Sequence, residues 1–176
     1  ELFSKSIAGL TELANSGMPE AQRYLGLCYF YEKGVAQSYS EAVKWWSKAA
    51  EQGNVDAQFC LGLCYDNGNG VYRSYTEAVK WYRKAAEQGY APAQNNLGAS
   101  YMNGEGVVES IAAALKWYRK AAEQGNPDAQ ANLGYLYYWG KGVTKSNQEA
   151  IKWWKKAAKN GSERAKQGLD MLGVDY

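Results

Sequence analysis

The chain has 176 residues and a formal net charge of +2, with 15 Tyr and 7 Trp against 3 Pro and no His. A near-neutral balance in which Lys and Glu alternate does not point to nucleic acid or an acidic membrane, and apolar runs of a few residues fall far below the roughly 20 that span a bilayer. Without His, Ser-His-Asp and Cys-His nucleophile pairs are impossible, so neither an enzyme nor a cofactor is expected.

The segment EAVKWYRKAAEQG at 77–89 is written again as EAVKWWSKAAEQG (41–53), AALKWYRKAAEQG (113–125) and EAIKWWKKAAKNG (149–161). Gly17, Gly53, Gly89, Gly125 and Gly161 therefore stand 36 residues apart. A fixed period of this size is the signature of a solenoid, in which each unit buries its apolar face only by stacking on its neighbours. The chain reads as one all-α array: a partial repeat at 1–16, full repeats at 17–52, 53–88, 89–124 and 125–160, and a half repeat at 161–176. About ten helices and no sheet are expected.

Residues Leu2 to Ser16 align with the repeated segment one period upstream, Leu10 and Leu13 taking the places of Trp46 and Ala49, and read as a degraded second helix. A start at Glu1 rather than Met reads as a processed product or an excised piece. In each full repeat a first helix opens after the closing glycine. Asn126 is a good N-cap, Pro127 suits the first helical position and Asp128 favours the N-terminus, as do Asn54 and Asp56. Ala21, Leu25 and Tyr29 recur as Ala57, Leu61, Tyr65, as Ala93, Leu97, Tyr101 and as Ala129, Leu133, Tyr137, a spacing of four that keeps them on one core face. Gly26, Gly62, Gly98 and Gly134 follow each Leu, where a mid-helix Gly costs about 1 kcal/mol and signals close helix contact.

The turns Gly68-Asn69-Gly70-Val71, Gly104-Glu105-Gly106-Val107 and Gly140-Lys141-Gly142-Val143 open on a glycine suited to a left-handed cap. Repeat one has Glu32 there, and its first helix is expected to run on or to end differently. The G-x-G spacing is that of phosphate loops, but three copies joining helix to helix favour a turn. Second helices start at Ser38, Ser74, Ser110 and Ser146, with Glu41, Glu77 and Glu149 completing a capping box that Ala113 breaks. Ala42, Trp45 and Ala49 and their equivalents form the buried stripe, with Trp81, Trp117 and Trp153 filling the space between helices. Lys44, Lys48 and Glu51 read as a solvated outer face.

Cys28, Cys60 and Cys64 are odd in number, and stacked repeats hold equivalent Cα atoms about 10 Å apart, beyond the roughly 7 Å limit for a disulfide. All three read as thiols, which favours a reducing compartment, although a removed signal peptide is compatible with the sequence. Zinc would need four ligands, and there is no C-x-x-C pair.

The frame A-Q-x-x-L-G-x-x-Y-x-x-G-x-G-V followed by A-x-x-W-x-x-K-A-A-x-x-G resembles the Sel-one-like repeat, a relative of the tetratricopeptide repeat. In repeat two it is carried by Ala57, Gln58, Leu61, Gly62, Tyr65, Gly68, Gly70, Val71, Ala78, Trp81, Lys84, Ala85 and Ala86. The resemblance covers four repeats. The family's frequent Asp after Gly-Val is Ser here, and the Cys pair that its secreted branch carries in every repeat is missing from repeats three and four.

What the resemblance implies is a right-handed superhelical solenoid with first helices inside and second helices outside, serving as a scaffold or adaptor. Bacterial members of the family act in host interaction, envelope assembly or signalling, eukaryotic ones in protein-quality-control assemblies. A concave groove would then be lined by Arg23, Leu27, Phe30 and Tyr31; by Phe59, Leu63, Asp66 and Asn67; by Asn95, Ala99, Met102 and Asn103; and by Ala131, Tyr135, Tyr138 and Trp139. These positions vary between repeats while core positions do not. Asp66 has no evident structural role, unlike Asp56 and Asp128. The expected partner is a protein or peptide bound by a monomer. The rival readings are a carbohydrate-binding protein or enzyme, with Tyr135, Tyr138 and Trp139 stacking on a sugar, and a spacer that binds nothing.

Overall fold

Each second helix begins where its serine stands. Ser38, Ser74 and Ser146 accept from the backbone N–H of Glu41, Glu77 and Glu149 at 3.3, 3.3 and 3.2 Å. Ser110 accepts from Ala113 N–H at 3.2 Å, so the cap forms without the acid. The capping box is thus served by its serine half, while the Glu41, Glu77 and Glu149 carboxylates pair with Lys44, Lys80 and Lys152 one turn on. First helices start as read: Asn54 and Asn126 accept from Ala57 and Ala129 N–H at 3.0 and 2.8 Å.

The computed structural model describes residues 7–175, so the Leu2 to Ser6 end of the first predicted element lies outside the described residues. Among these residues there are ten helices and no strand. One unit, Glu1–Gln88, holds α1 (Ile7–Asn15), α2 (Pro19–Phe30), α3 (Tyr39–Glu51), α4 (Val55–Asn67) and α5 (Tyr75–Glu87). The other, Gly89–Tyr176, holds α6 (Ala91–Asn103), α7 (Ile111–Glu123), α8 (Pro127–Trp139), α9 (Asn147–Lys159) and α10 (Glu163–Met171). Within each unit consecutive helices pack against one another.

The first turn does end differently. α4, α6 and α8 stop on Gly68, Gly104 and Gly140 at φ 75°, 69° and 68°. α2 stops a residue earlier, at Phe30, and Glu32 takes the left-handed conformation at φ 56°. The closing bond survives: Lys33 N–H donates to Cys28 O at 2.9 Å, as Asn69 N–H does to Cys64 O. The same turn is therefore made by a side-chain-bearing residue, at about 1–2 kcal/mol of conformational cost.

The Ala and Leu of each first helix are fully buried, and the Tyr four residues on is half-buried. The second-helix stripe needs a correction. The deepest aromatics are Trp46, Tyr82, Tyr118 and Trp154, one residue after the tryptophans named above. Trp45 is buried against α1 and α2, but Trp81, Trp117 and Trp153 are half-exposed, with the Lys84, Lys120 and Lys156 ammonium groups 4.2, 4.8 and 4.6 Å from their rings. Adjacent residues on a helix point about 100° apart, so both can reach apolar neighbours. The second of the pair faces its own first helix. A Cβ on Gly134 would lie inside the Trp154 indole, and one on Gly62 inside the Tyr82 ring, which is why glycine follows each core Leu.

A buried glutamine closes each repeat. Nε2 of Gln22, Gln58 and Gln130 donates to the carbonyls of Ala14, Ala50 and Ala122 at 3.0, 3.1 and 3.0 Å, adding a second donor to carbonyls at the C-terminal ends of α1, α3 and α7 that also accept from the Gly17, Gly53 and Gly125 N–H. Their Oε1 atoms accept from Gln52, Gln88 and Asn160 at 2.8, 2.8 and 3.2 Å. The Ala-Gln pair, a bare sequence signature until the helices are stacked, is a polar staple between successive repeats.

Candidate interaction faces

In the first unit most of the predicted groove side chains have internal partners. Arg23 Nε lies 3.7 Å from Asp56 Oδ2, and its guanidinium 3.9 Å from the Tyr24 ring. Leu27 and Phe30 pack on the α3–α4 core, with the Phe30 ring 5.3 Å from Trp46 and 4.9 Å from both Tyr31 and Tyr39. Phe59 lies 5.9 Å from the Tyr82 ring, and Asp66 Oδ2 accepts from Tyr82 Oη at 2.9 Å. Asp66 therefore does have a structural role, which the sequence did not disclose because Tyr82 is on the next helix. Leu63 is half-buried, Asn67 Nδ2 donates back to Leu63 O at 2.9 Å, and Tyr31 remains 59% exposed.

The second unit differs. Asn95 Oδ1 accepts from Asn132 Nδ2 at 3.1 Å, tying α6 to α8, and exposed Asn103 donates to Glu105 at 3.3 Å. Ala99 and Met102 lie half-buried against the α7–α8 core. Ala131, read as groove-facing, is instead completely buried, its carbonyl accepting from Trp154 Nε1 at 3.2 Å, because the indole of α9 packs over that side of α8. The three rings of α8 separate in role. Tyr135 packs edge-on at 5.0 Å from Trp154 and donates its hydroxyl to Arg164 O at 3.0 Å; Tyr138 lies 5.6 Å from Trp154. Trp139, 4.8 Å from Tyr138, turns outward and is 61% exposed.

Between α6 and α8 opens a cleft of about 160 Å³, lined by Met102, Tyr118, Asn132, Tyr135, Leu136, Trp139 and Lys141. Three of these were predicted site residues. Tyr118, Asn132, Leu136 and Lys141 were missed, Tyr118 because it sits on a second helix and Lys141 because it belongs to the turn. The variation of residues 105 and 141 between repeats was the available signal for the last.

The thiols offer little chemistry. Burial, with a contribution from Asp56, pushes Cys60 up to about 12; burial, with a contribution from Cys60, does the same to Cys64; Cys28 is raised by burial against the pull of Lys33. All three are free, and a protonated buried thiol is a poor nucleophile. Ser100 and Leu136 occupy the same buried position as Cys28 and Cys64, so these cysteines act as small core residues. Among the described residues no helix is long and apolar enough to cross a membrane.

Against known protein families, the Sel1 repeat matches four times, at residues 19–54, 55–90, 91–126 and 127–162. Among solved structures the chain is 41% identical to a protective antigen with the SLR fold, present in uropathogenic Escherichia coli strains, at a TM-score of 0.90 over 94% of this chain and 35% of the antigen. It is 39% identical to a Sel1 repeat protein from Oxalobacter formigenes, at a TM-score of 0.82 over 92% of this chain and 68% of that one. Cysteine rich protein B of Helicobacter pylori is 28% identical at a TM-score of 0.59, over 74% of this chain and 94% of that one. The chain thus spans about a third of the antigen's length. A search of curated proteins finds no match.

Proposed function

The chain belongs to the Sel1 repeat family, a solenoid class whose members generally serve protein interaction, and on that premise we propose that it is a non-enzymatic adaptor that binds a peptide segment along its first helices. The observation that carries this reading is the α6–α8 cleft with Trp139 at its rim. At about 160 Å³ it is well below the roughly 300–1,000 Å³ of cofactor and small-ligand pockets, and suits one side chain of a peptide. Its walls are a flexible Met, a Leu and two large rings, beside the Asn132 amide that Asn95 and Arg164 hold in place.

Trp139 is the anchor on this reading, because the stack does not require a ring there: Asn67 and Asn103 hold the same repeat position. The test is random peptide display on the wild-type chain, with each selected peptide then titrated against Trp139→Ala. Truncating a hot-spot ring costs about 2 kcal/mol or more, so affinity should fall about thirtyfold with helicity unchanged. Selected peptides that bind the variant as tightly as the wild type would remove this face from the reading.

A further inference from the structure

The first turn of α2, α4, α6 and α8 carries, at one repeat position, Glu20, Asp56, Pro92 and Asp128. These are the residues that a helix N-terminus favours, since its dipole attracts negative charge and its first N–H groups have no internal partner. α10 breaks the rule with Arg164, a cation placed where the dipole disfavours it. Two further differences from the neighbouring repeats fall in the preceding repeat: Trp139 replaces the Asn of repeats two and three, where repeat one has Tyr31, and Lys141 stands where repeat three has Glu105 and repeat one has Lys33.

All three residues border one cleft. Trp139 and Lys141 line the α6–α8 cleft. Arg164 Nη1 lies 3.3 Å from Asn132 Oδ1 and its guanidinium 5.1 Å from the Tyr135 ring, both cleft residues. Its charge also reaches the phenol of Tyr118, pulling against the burial that pushes that group up to about 12. Among the described residues neither Arg164 nor Lys141 has a carboxylate within 4.0 Å. Glu105 and Glu163, on the adjoining segments, are engaged by Asn103 and Lys166.

Building on the peptide-binding reading, we infer that the occupant of this cleft is an acidic segment with a single apolar anchor, whose side chain enters beside Trp139 while flanking carboxylates meet Arg164 and Lys141. Asn132, which marks the Arg164 end, and Lys141 are nine residues apart along α8 and its cap, or about 13 Å at 1.5 Å per residue. An extended peptide covers that distance in about four residues, which places one acid about two residues before the anchor and one about two residues after it. The bulk charge agrees: Gly89–Tyr176 holds 11 basic and 8 acidic residues, whereas Glu1–Gln88 holds 9 and 10.

The test uses the full chain and three labelled Gly/Ser peptides with a central Phe, carrying Asp, Asn or Lys two residues to either side. The Asp probe should bind about tenfold more tightly than the Asn probe and lose that advantage in high salt. Arg164→Gln with Lys141→Gln should abolish the difference between the Asp and Asn probes, with the circular dichroism unchanged. Equal affinity for Asp and Asn probes, or an advantage that survives in the double variant, overturns the acidic assignment and leaves the adaptor reading standing. If none of the three binds while displayed peptides do, the assignment falls alone; if displayed peptides also fail, both fall.

Discussion

α4 and α8 are built from the same frame and carry different outer faces. Each has an Asn N-cap, an Ala-Gln pair, a buried Leu followed by Gly, and a left-handed Gly cap. On α4, Asp66 is held by Tyr82 and Asn67 by the Leu63 carbonyl, so the polar groups of the face are spoken for within the unit. On α8, Trp139 turns outward beside an open cleft bordered at its two ends by Lys141 and Arg164, neither of which has a carboxylate within 4.0 Å among the described residues. The difference teaches that a repeat copies its packing positions and leaves its outer face free to vary. Variation alone does not mark a site, because the varied Asp66 is structural.

The sharpest way to break the comparison is to truncate two tryptophans of one repeat. Trp154→Ala empties a fully buried position and should cost about 3–5 kcal/mol, whereas Trp139→Ala should stay within about 0.5 kcal/mol, both read from urea unfolding. Similar losses would mean that the α8 rim is core and that α4 and α8 do not differ in kind. Trp81→Ala, at a half-exposed indole, should fall between these limits.

A smaller effect tests the first unit, where the frame is locally violated. Glu32→Gly gives its turn the residue that repeats two to four use and should stabilise the chain by about 1 kcal/mol. No change in the urea midpoint would show that the left-handed position is not strained.

The smallest effect is a thiol-borne pH dependence in that unit, where all three cysteines lie. Because Cys60 and Cys64 hold their protons up to about 12 when folded, against 9.0 ordinarily, the unfolded chain ionises first on the alkaline side. Their contribution is complete below pH 9 and is lost as pH rises towards 12. The stability gap between wild type and Cys64→Ala should therefore narrow from pH 8 to pH 10.5; a constant gap would contradict a raised thiol. At pH 8 a thiol reagent should label the buried Cys28 and Cys64 only as fast as the chain opens.

The sequence by itself determined the local structure. The period, the Asn and Ser caps, the glycine turns and the Ala-Leu core stripe depend on residues within a turn or two of each other, and helix geometry converts such spacings directly into faces. Only the tertiary structure decided which of two adjacent aromatics lies deeper, what Gln22 and Gln58 bond to, and that Asp66 belongs to Tyr82. It also brought Tyr118 of α7 and Arg164 of α10 to the cleft that α8 lines, residues of other helices that no spacing connects to it. The reason is that a one-dimensional repeat specifies how each helix is made, whereas the partner of a side chain depends on which neighbouring helix lies over it, and that is set by the stacking of large rings on glycine.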